Sequence, residues 1–207
     1  MYLELKQLSF KYDQSMIIEN FDMHADKGSI TAIIGESGSG KSTLLRILAG
    51  LQNANRGVFT LDDHLIFDDK KAIDVHKRKI GLVFQDYTLF PHLTVYQNIA
   101  FGMNHKHKKD RIKSILKMVE LEEDAKKYPH ECSGGMQQRI ALARAMANQP
   151  KLLLLDEPFS NLDQDLKVRL RTQFINWAKQ EEITLIWVTH DIEEAYAIAD
   201  QVIELRK

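Results

Sequence analysis

Cysteine and proline are scarce in this sequence: its 207 residues include one cysteine, Cys132, and four prolines. A single cysteine excludes an internal disulfide framework and a metal cluster held by several thiolates. Long apolar runs are also missing, because the longest ones, 152–155 and 183–188, are far too short to cross a bilayer. The first residues lack the basic and apolar pattern of a secretory signal. We therefore expect a cytoplasmic protein.

The sequence also lacks an excess of either charge. Lys and Arg number 28 against 29 Asp and Glu, which leaves a net charge of -1 at pH 7. That balance argues against a surface that coats nucleic acid. A hydrophobic content of 44% is ordinary for a globular protein, and the chain is long enough to bury one sizeable core. We expect a single folded domain with no nucleic-acid partner.

A glycine-rich segment directly follows the apolar run 30–34 and fits the pattern G-x-x-x-x-G-K-[ST]. In this pattern the bent backbone and the start of the next helix surround a phosphate group. Lys41 adds a mobile positive charge, and the Ser42 hydroxyl is a candidate Mg²⁺ ligand. The predicted nucleotide-binding residues are Gly35, Glu36, Ser37, Gly38, Ser39, Gly40, Lys41, Ser42 and Thr43. A plain glycine turn is the alternative, which the flanking strand and a predicted helix over 43–50 disfavour.

Apolar periodicity predicts strands for much of the chain. Alternation over 3–12, and the short apolar segments that flank Asp62-Asp63 within 58–67, indicate antiparallel strands or hairpins. Continuous apolar runs are instead typical of parallel strands buried on both faces. The predicted parallel strands are 30–34, 80–84, 152–155 and 184–188.

Helices are predicted between the second and third of those parallel strands. Apolar residues spaced i, i+3, i+4 and i+7 from Ile112 to Val119 indicate one helix, and 140–147 is expected to form another. The basic run 105–109 is expected to be the solvated start of a helix. An α/β core interrupted by a helical insert follows from this order.

Two carboxylates, Asp156 and Glu157, end the buried run 152–155. Ligands of open α/β sheets bind beyond the carboxyl ends of the strands. Asp156 is therefore a candidate Mg²⁺ ligand, and Glu157 is a candidate acceptor for the proton of an attacking water. Alone, Asp-Glu-Pro is equally typical of a turn or helix start. Combined with the phosphate-binding loop, the pair predicts hydrolysis as well as binding.

A third motif, CSGGMQQR at 132–139, resembles the signature sequence of ATP-binding cassette (ABC) ATPases. The resemblance extends over essentially the whole chain, because the motifs of that family occur in order. They are the phosphate-binding loop, Gln85, the signature, Asp156-Glu157, Asp163 and His190. Cys132 and Met136 depart from the commonest signature, which has leucine and a polar residue there. Because Cys132 adjoins Ser133, we expect it to lie near a dimer seam, where a bulky maleimide would suppress turnover.

The resemblance implies a single ABC ATPase domain over 1–207. Its fold would be α/β, a P-loop NTPase core with a mainly parallel sheet, an N-terminal antiparallel β subdomain and an inserted α-helical subdomain. The core with its β subdomain would comprise 1–84 and 146–207, and the helical subdomain 85–145. Because the sequence stops soon after a predicted final strand over 201–205, no appended C-terminal regulatory domain is expected.

The resemblance also implies a head-to-tail homodimer that encloses two molecules of MgATP. In it, Ser133, Gly134 and Gly135 would contact the γ-phosphate bound to the loop of the other subunit. Further roles implied are Tyr12 stacking on adenine, Gln85 sensing Mg²⁺ and the water, His190 contacting the γ-phosphate, and Asp163 coupling the two sites. Taken singly, these residues also fit purely structural roles. Tyr12 fits a surface aromatic residue of an edge strand, Gln85 a polar residue at a strand end, and His190 and Asp163 fit helix caps.

The sequences of segments 90–102 and 157–163 resemble the corresponding segments of ABC ATPases that power importers. Such importers take up small solutes such as oxyanions, metal ions, polyamines or thiamine. The implied function is an ATP hydrolase at the inner face of the cell membrane that powers a separate integral membrane permease, together with an external solute-binding protein. Phe90, Leu93 and Tyr96 are candidates for contact with the permease, or else core of the helical lobe. The alternatives are an ABC exporter or cell-division ATPase, and a non-catalytic ATP-dependent regulatory module.

Overall fold

The computed structural model describes residues 1–103 and 108–206. Within them lie nine strands and six α-helices, besides short 3-10 turns at Val75–Lys77 and Pro129–Glu131. In chain order they are β1 Leu3–Tyr12, β2 Ser15–Ala25, β3 Ile30–Ile34, α1 Lys41–Ala49, β4 Arg56–Leu61, β5 His64–Phe67, β6 Ile80–Val83, α2 Val95–Ala100, α3 Lys108–Met118, α4 Gly134–Ala147, β7 Leu152–Asp156, α5 Gln164–Gln180, β8 Thr184–Val188, α6 Ile192–Ile198 and β9 Gln201–Glu204. No helix in this part of the chain combines the length and apolar character needed to span a membrane.

A five-stranded sheet in the order β6-β7-β8-β3-β9 forms the centre, and every neighbouring pair in it is parallel. The four continuous apolar runs are strands of this sheet, and all four leucines of β7 are fully buried. Parallel strands present their carboxyl ends at one edge of a sheet. The loops that follow the neighbouring strands β7, β8 and β3 therefore meet there, which brings together segments more than a hundred residues apart in sequence.

A four-stranded antiparallel sheet, β2-β1-β4-β5, packs beside the central one. The predicted hairpin is present, with Asp62 and Asp63 in its turn, both at positive φ. Strand β2 was not predicted, because its buried residues do not alternate regularly and its pairing with β1 has register shifts. A shared apolar cluster joins this sheet to α1 and to one face of the parallel sheet.

Helices α1 and α4 begin earlier than predicted, and α2, α5 and α6 were not predicted. α1 begins at Lys41 and not at residue 43, and α4 begins at Gly134 and not at residue 140. Local chemistry explains α4, because Ser133 caps it and the two glycines form its first turn. Lys108 and Lys109 of the basic run open α3, while 105–107 lie outside the described residues.

Candidate functional site

The phosphate-binding loop spans the connection from β3 to α1. Gly40, just before α1, has φ of 100°, and a Cβ there would lie 3.0 Å from Ile17 Cγ2, so only glycine fits. Lys41 Nζ donates hydrogen bonds to the carbonyl oxygens of Gly35, at 2.7 Å, and Glu36, at 2.8 Å. The loop is thus curled around its own lysine, at the positive end of the α1 dipole.

A cleft of about 360 Å³ opens above this loop. It is lined by Tyr12, Ile17, Ser37, Gly38, Gly40, Lys41, Ser42, Thr43, Gln85, Asp156 and Glu157. All but one of these are predicted site residues, and they come from the antiparallel sheet, the loop, the segment after β6 and the end of β7. Ile17 is the addition. Its side chain packs over Gly40 and gives the cleft an apolar wall beside Tyr12.

Asp156 and Ser42 provide two oxygen donors at the floor of the cleft. Burial raises the pKa of Asp156 above its ordinary value, a shift that the hydrogen bond from Ser42 opposes and that neighbouring Glu157 reinforces. Among the described residues, no group of three His, Cys, Asp or Glu side chains is arranged to hold a metal ion. The sparse, all-oxygen donor set fits Mg²⁺, which keeps several of its waters when bound to protein.

Glu157 and His190 meet at the ends of two adjacent strands. His190 Nδ1 lies 2.8 Å from Glu157 Oε1, and the Glu157 side chain is 19% exposed against 69% for His190. The Glu157 backbone has φ of 49°, a left-handed conformation that non-glycine residues rarely adopt. Its N–H donates to Val188 O at 3.0 Å, which fixes this strained turn onto β8.

Ser133 and Gly134 of the signature face solvent, Gly135 is half-buried, and none of the three lines the cleft. Ser133 Oγ accepts a hydrogen bond from Met136 N at 3.3 Å, and Ser133 and Gly134 are exposed. A Cβ on Gly134 would meet nothing within 4 Å, whereas one on Gly135 would lie 3.0 Å from Leu162 Cδ2. The N-terminus of α4 is therefore an open helix end, where backbone N–H groups favour an anion.

Cys132, which we expect near a dimer seam, is buried within its own chain. Its side chain is 8% exposed and belongs to the apolar cluster that includes the helices α2 to α4, with Sγ donating to Tyr128 O at 3.4 Å. Burial raises the pKa of this thiol. A free cysteine behaves as a small hydrophobic residue. Cys132 therefore serves as a core residue at the position where the commonest signature has leucine.

The structure distinguishes the proposed from the purely structural roles of some site residues, namely Tyr12, Asp163 and His190. Tyr12 is 46% exposed and packs edge-to-face against Phe10 with ring centroids 4.7 Å apart. Asp163 is indeed a helix cap, since its Oδ1 accepts from Leu166 N at 3.0 Å at the start of α5. His190 is not a cap, because Asp191 caps α6.

Two further side chains support the site and were not singled out in the sequence. Gln138 of α4 is 2% exposed; its amide donates to Glu157 O at 3.2 Å and accepts from Asn161 N at 3.3 Å. Glu194 of α6 is 6% exposed and accepts a hydrogen bond from Thr189, next to His190. Both are polar residues in polar stretches of sequence, so no periodic signal marks their burial.

The chain is similar to known proteins along almost its whole length. It is 42% identical over 210 residues to the spermidine/putrescine import ATP-binding protein PotA of Mannheimia succiniciproducens. It is 45% identical over 207 residues to the Fe(3+) ions import ATP-binding protein FbpC of Yersinia pestis. Both alignments cover 99% of this chain but only 55% and 59% of those relatives. The chain thus spans little more than half their length.

Solved structures and a family model agree with these relatives. A dimeric ATP-binding cassette in a post-hydrolysis state, bound to ADP and Pi, superposes with a TM-score of 0.87 at 30% identity, covering 99% of this chain and 94% of that one. A dimeric bacterial ABC transporter cassette gives 0.86 at 31% identity, with 98% and 94% covered. The family model described as ABC transporter matches residues 18–160. Because this match covers more than half of the chain, the chain belongs to the ABC transporter family.

Proposed function

We propose that this chain is the ATP-hydrolysing subunit of an ABC transporter, and that it drives solute import through a separate membrane permease. The observation that carries the proposal is the single cleft in which the phosphate-binding loop faces Gln85, Asp156 and Glu157. The names of the relatives, which are import ATP-binding proteins, favour import over export. In this role the chain lies at the inner face of the cell membrane, bound to the permease.

Within the cleft, the loop 35–43 would hold the phosphates and Tyr12, beside Ile17, would stack on adenine. Ser42, Gln85 and Asp156 would hold Mg²⁺ with their side-chain oxygens. When bound, the ion neutralises charge on the outer phosphates. Lys41, freed from the carbonyl oxygens that it contacts, would move onto the phosphates.

Glu157 would accept a proton from the water whose oxygen attacks the γ-phosphorus. The bond from that phosphorus to the β,γ-bridging oxygen breaks, and ADP and inorganic phosphate leave. His190 would donate a hydrogen bond to the γ-phosphate, and its contact with Glu157 keeps both groups at one edge of the sheet.

A second copy of the chain would complete each site. Ser133 and Gly134 are exposed and do not line the cleft of their own chain, so the open N-terminus of α4 is free to approach a nucleotide held elsewhere. In a head-to-tail homodimer it would contact the γ-phosphate, and Asp163 would couple the two sites. The dimeric state of the solved cassettes supports this arrangement.

Segment 85–145 is proposed as a helical subdomain that moves against the α/β remainder, although α4 continues to Ala147. Between the two lies a groove of about 630 Å³, lined in part by Phe90, Phe101 and Arg144. Phe101 is 51% exposed, and the Arg144 guanidinium lies 5.3 Å from the Phe90 ring centre. We propose this groove as the permease contact. Tyr96, by contrast, packs against the apolar cluster of the helices.

The proposal is tested with the purified chain and with the permease that co-purifies with it from the native membrane. Phosphate release from MgATP, stimulated by the permease and absent in Glu157→Gln, is expected. ATP binding without phosphate release in the complex would instead identify a regulatory module. Solute uptake into vesicles, dependent on an external solute-binding protein, distinguishes an importer from an exporter or a cell-division ATPase.

A further inference from the structure

An ionic cluster centred on the buried carboxylate of Glu194 lies next to His190. We call it the Glu194 cluster: Glu194, Thr189, Asp191, Lys167 and Arg171. Glu194 Oε2 accepts from the Thr189 hydroxyl at 2.9 Å, and its Oε1 lies 3.1 Å from Lys167 Nζ and 3.2 Å from Arg171 Nη1. Lys167 Nζ also reaches Asp191 Oδ2 at 3.5 Å. Two cations from α5 thus meet two carboxylates next to the strand end that carries His190.

The burial of this cluster sets it apart from surface ion pairs. Glu194 is 6% exposed and the side chains of Lys167 and Arg171 are 16% and 18% exposed, whereas that of Asp191, at the rim, is 41% exposed. Surface pairs contribute little, but a buried carboxylate needs every partner, because an unpaired charge there carries a large desolvation cost. The positions of Glu194 and of its partners Thr189, Lys167 and Arg171 therefore depend on one another.

The cluster fixes the backbone on both sides of His190. Thr189 is 3% exposed, with its hydroxyl bound to Glu194 and its N–H donating to Ile33 O at 3.3 Å. On the other side, Asp191 Oδ1 accepts from Glu194 N at 3.0 Å, and Asp191 N donates to Thr189 Oγ1 at 3.1 Å. The His190 side chain is mostly exposed, so its placement depends on this backbone and on Glu157.

We propose that Glu194 is a positioning residue for ATP hydrolysis, acting through Thr189 to hold His190 at the γ-phosphate. This inference rests on the proposed ATPase function. Glu194 itself touches no part of the cleft, and α5 supplies its counter-charges. Displacement of a group by about 1 Å can lower a rate by about a hundredfold. The loop 35–43 and Tyr12, which would make most of the contacts with ATP, are left in place, so ATP binding should change much less than the rate.

Glu194→Gln is the primary test, with Glu193→Gln as the matched control. Glu193 is the preceding residue in the first turn of α6 and is exposed, so both variants lose one negative charge at the same helix end. Well below the melting temperature, Glu194→Gln is expected to lower kcat about tenfold or more and to change KM for ATP much less. A kcat equal to that of Glu193→Gln would overturn the proposal, whatever happens to the melting temperature.

Thr189 provides a second, independent arm. Thr189→Val removes the hydroxyl with little change of shape, and Thr189→Ser restores it. If Glu194 acts through this hydroxyl, Thr189→Val lowers kcat and Thr189→Ser keeps kcat close to that of wild type. The double variant Thr189→Val with Glu194→Gln should then show a fold-decrease in kcat that is smaller than the product of the two single fold-decreases. Losses that multiply would overturn the proposal.

A readout without turnover separates this inference from the proposed function. NMR signals of the His190 imidazole, assigned by their loss in His190→Asn, are expected to shift in Glu194→Gln but not in Glu193→Gln. Unchanged His190 signals in Glu194→Gln would overturn the positioning role. An inactive wild-type complex that still shows the shift would contradict the ATPase function alone.

Discussion

His190 Nδ1 lies 2.8 Å from Glu157 Oε1 within one chain. The two residues follow the carboxyl ends of the adjacent strands β8 and β7. A glutamine at 157 keeps the size of this side chain and a polar partner for His190, but it does not accept a proton. Glu157→Gln is therefore expected to leave ATP affinity unchanged and to lower phosphate release by about 10²- to 10⁴-fold. Size-exclusion chromatography with MgATP should then show an accumulated dimer.

Glu123→Gln is the control for that variant, because Glu123 is an exposed residue of the helical region with the same change of charge. It should behave as wild type. Turnover in Glu157→Gln equal to that of the control would exclude Glu157 as the proton acceptor.

Much of the fold could be predicted because it depends on local apolar patterns. The runs that became β3, β7 and β8 are buried on both faces, and such strands need no alternation. The run that became β6 lies at the edge of the sheet and is half-buried. The phosphate-binding loop was equally visible, since its glycines and lysine act within a few residues of one another. The start of α4 was misplaced, because glycine is a poor helix former and the cap at Ser133 outweighs that preference.

The side chains that support the site could not be predicted. Glu194 is buried because Lys167 and Arg171, more than twenty residues earlier on α5, come to face it. Gln138 is buried because the turn after β7 folds over it. Cys132 is buried although its neighbour Ser133 is exposed. Such relationships depend on tertiary packing, which sequence spacing does not record.

Lys41→Ala should weaken ATP binding severely. Lys41 is 9% exposed and donates to two carbonyl oxygens of the loop, so it stands within the turn that would receive the phosphates. Hydrogen bonds to charged groups contribute about 1.5–3 kcal/mol, which corresponds to about a ten- to hundredfold rise in Kd. Calorimetric titration measures this, with Lys113→Ala on the exposed face of α3 as control. An unaltered Kd would contradict the assignment of the loop.

Asp156→Asn is expected to affect stability and ligand binding in opposite directions. Burial raises the native pKa of Asp156 above its unfolded value, so the folded state binds the proton more tightly, and the ionised side chain lowers stability as pH rises. The variant should therefore melt higher than wild type at pH 7.5 without nucleotide, by about 2–4 °C for each kcal/mol. This difference should shrink as pH falls toward the ordinary aspartate range.

The same variant loses a negative oxygen donor, so MgATP should raise its melting temperature less than it raises that of wild type. Asp26→Asn, at an exposed position, should match wild type in both measurements. If Asp156→Asn gains the full stabilisation from MgATP, Asp156 takes no part in binding the ion.

Cys132 should resist modification in the folded protein. Its side chain is 8% exposed, and burial raises the pKa of the thiol, so both access and the thiolate fraction at neutral pH are reduced. A local opening that costs about 1.4 kcal/mol already slows labelling by about tenfold. We therefore expect maleimide to react with the native chain at least about tenfold more slowly than with a small free thiol. The labelling rate should increase with pH, and the midpoint of this increase should lie at a higher pH than for the small thiol.

The controls use the fact that the sequence has no other cysteine. Cys132→Ala gives the background signal, and protein unfolded in guanidinium gives the signal for complete labelling. Native labelling as fast as that of the free thiol would instead place Cys132 at the surface beside Ser133.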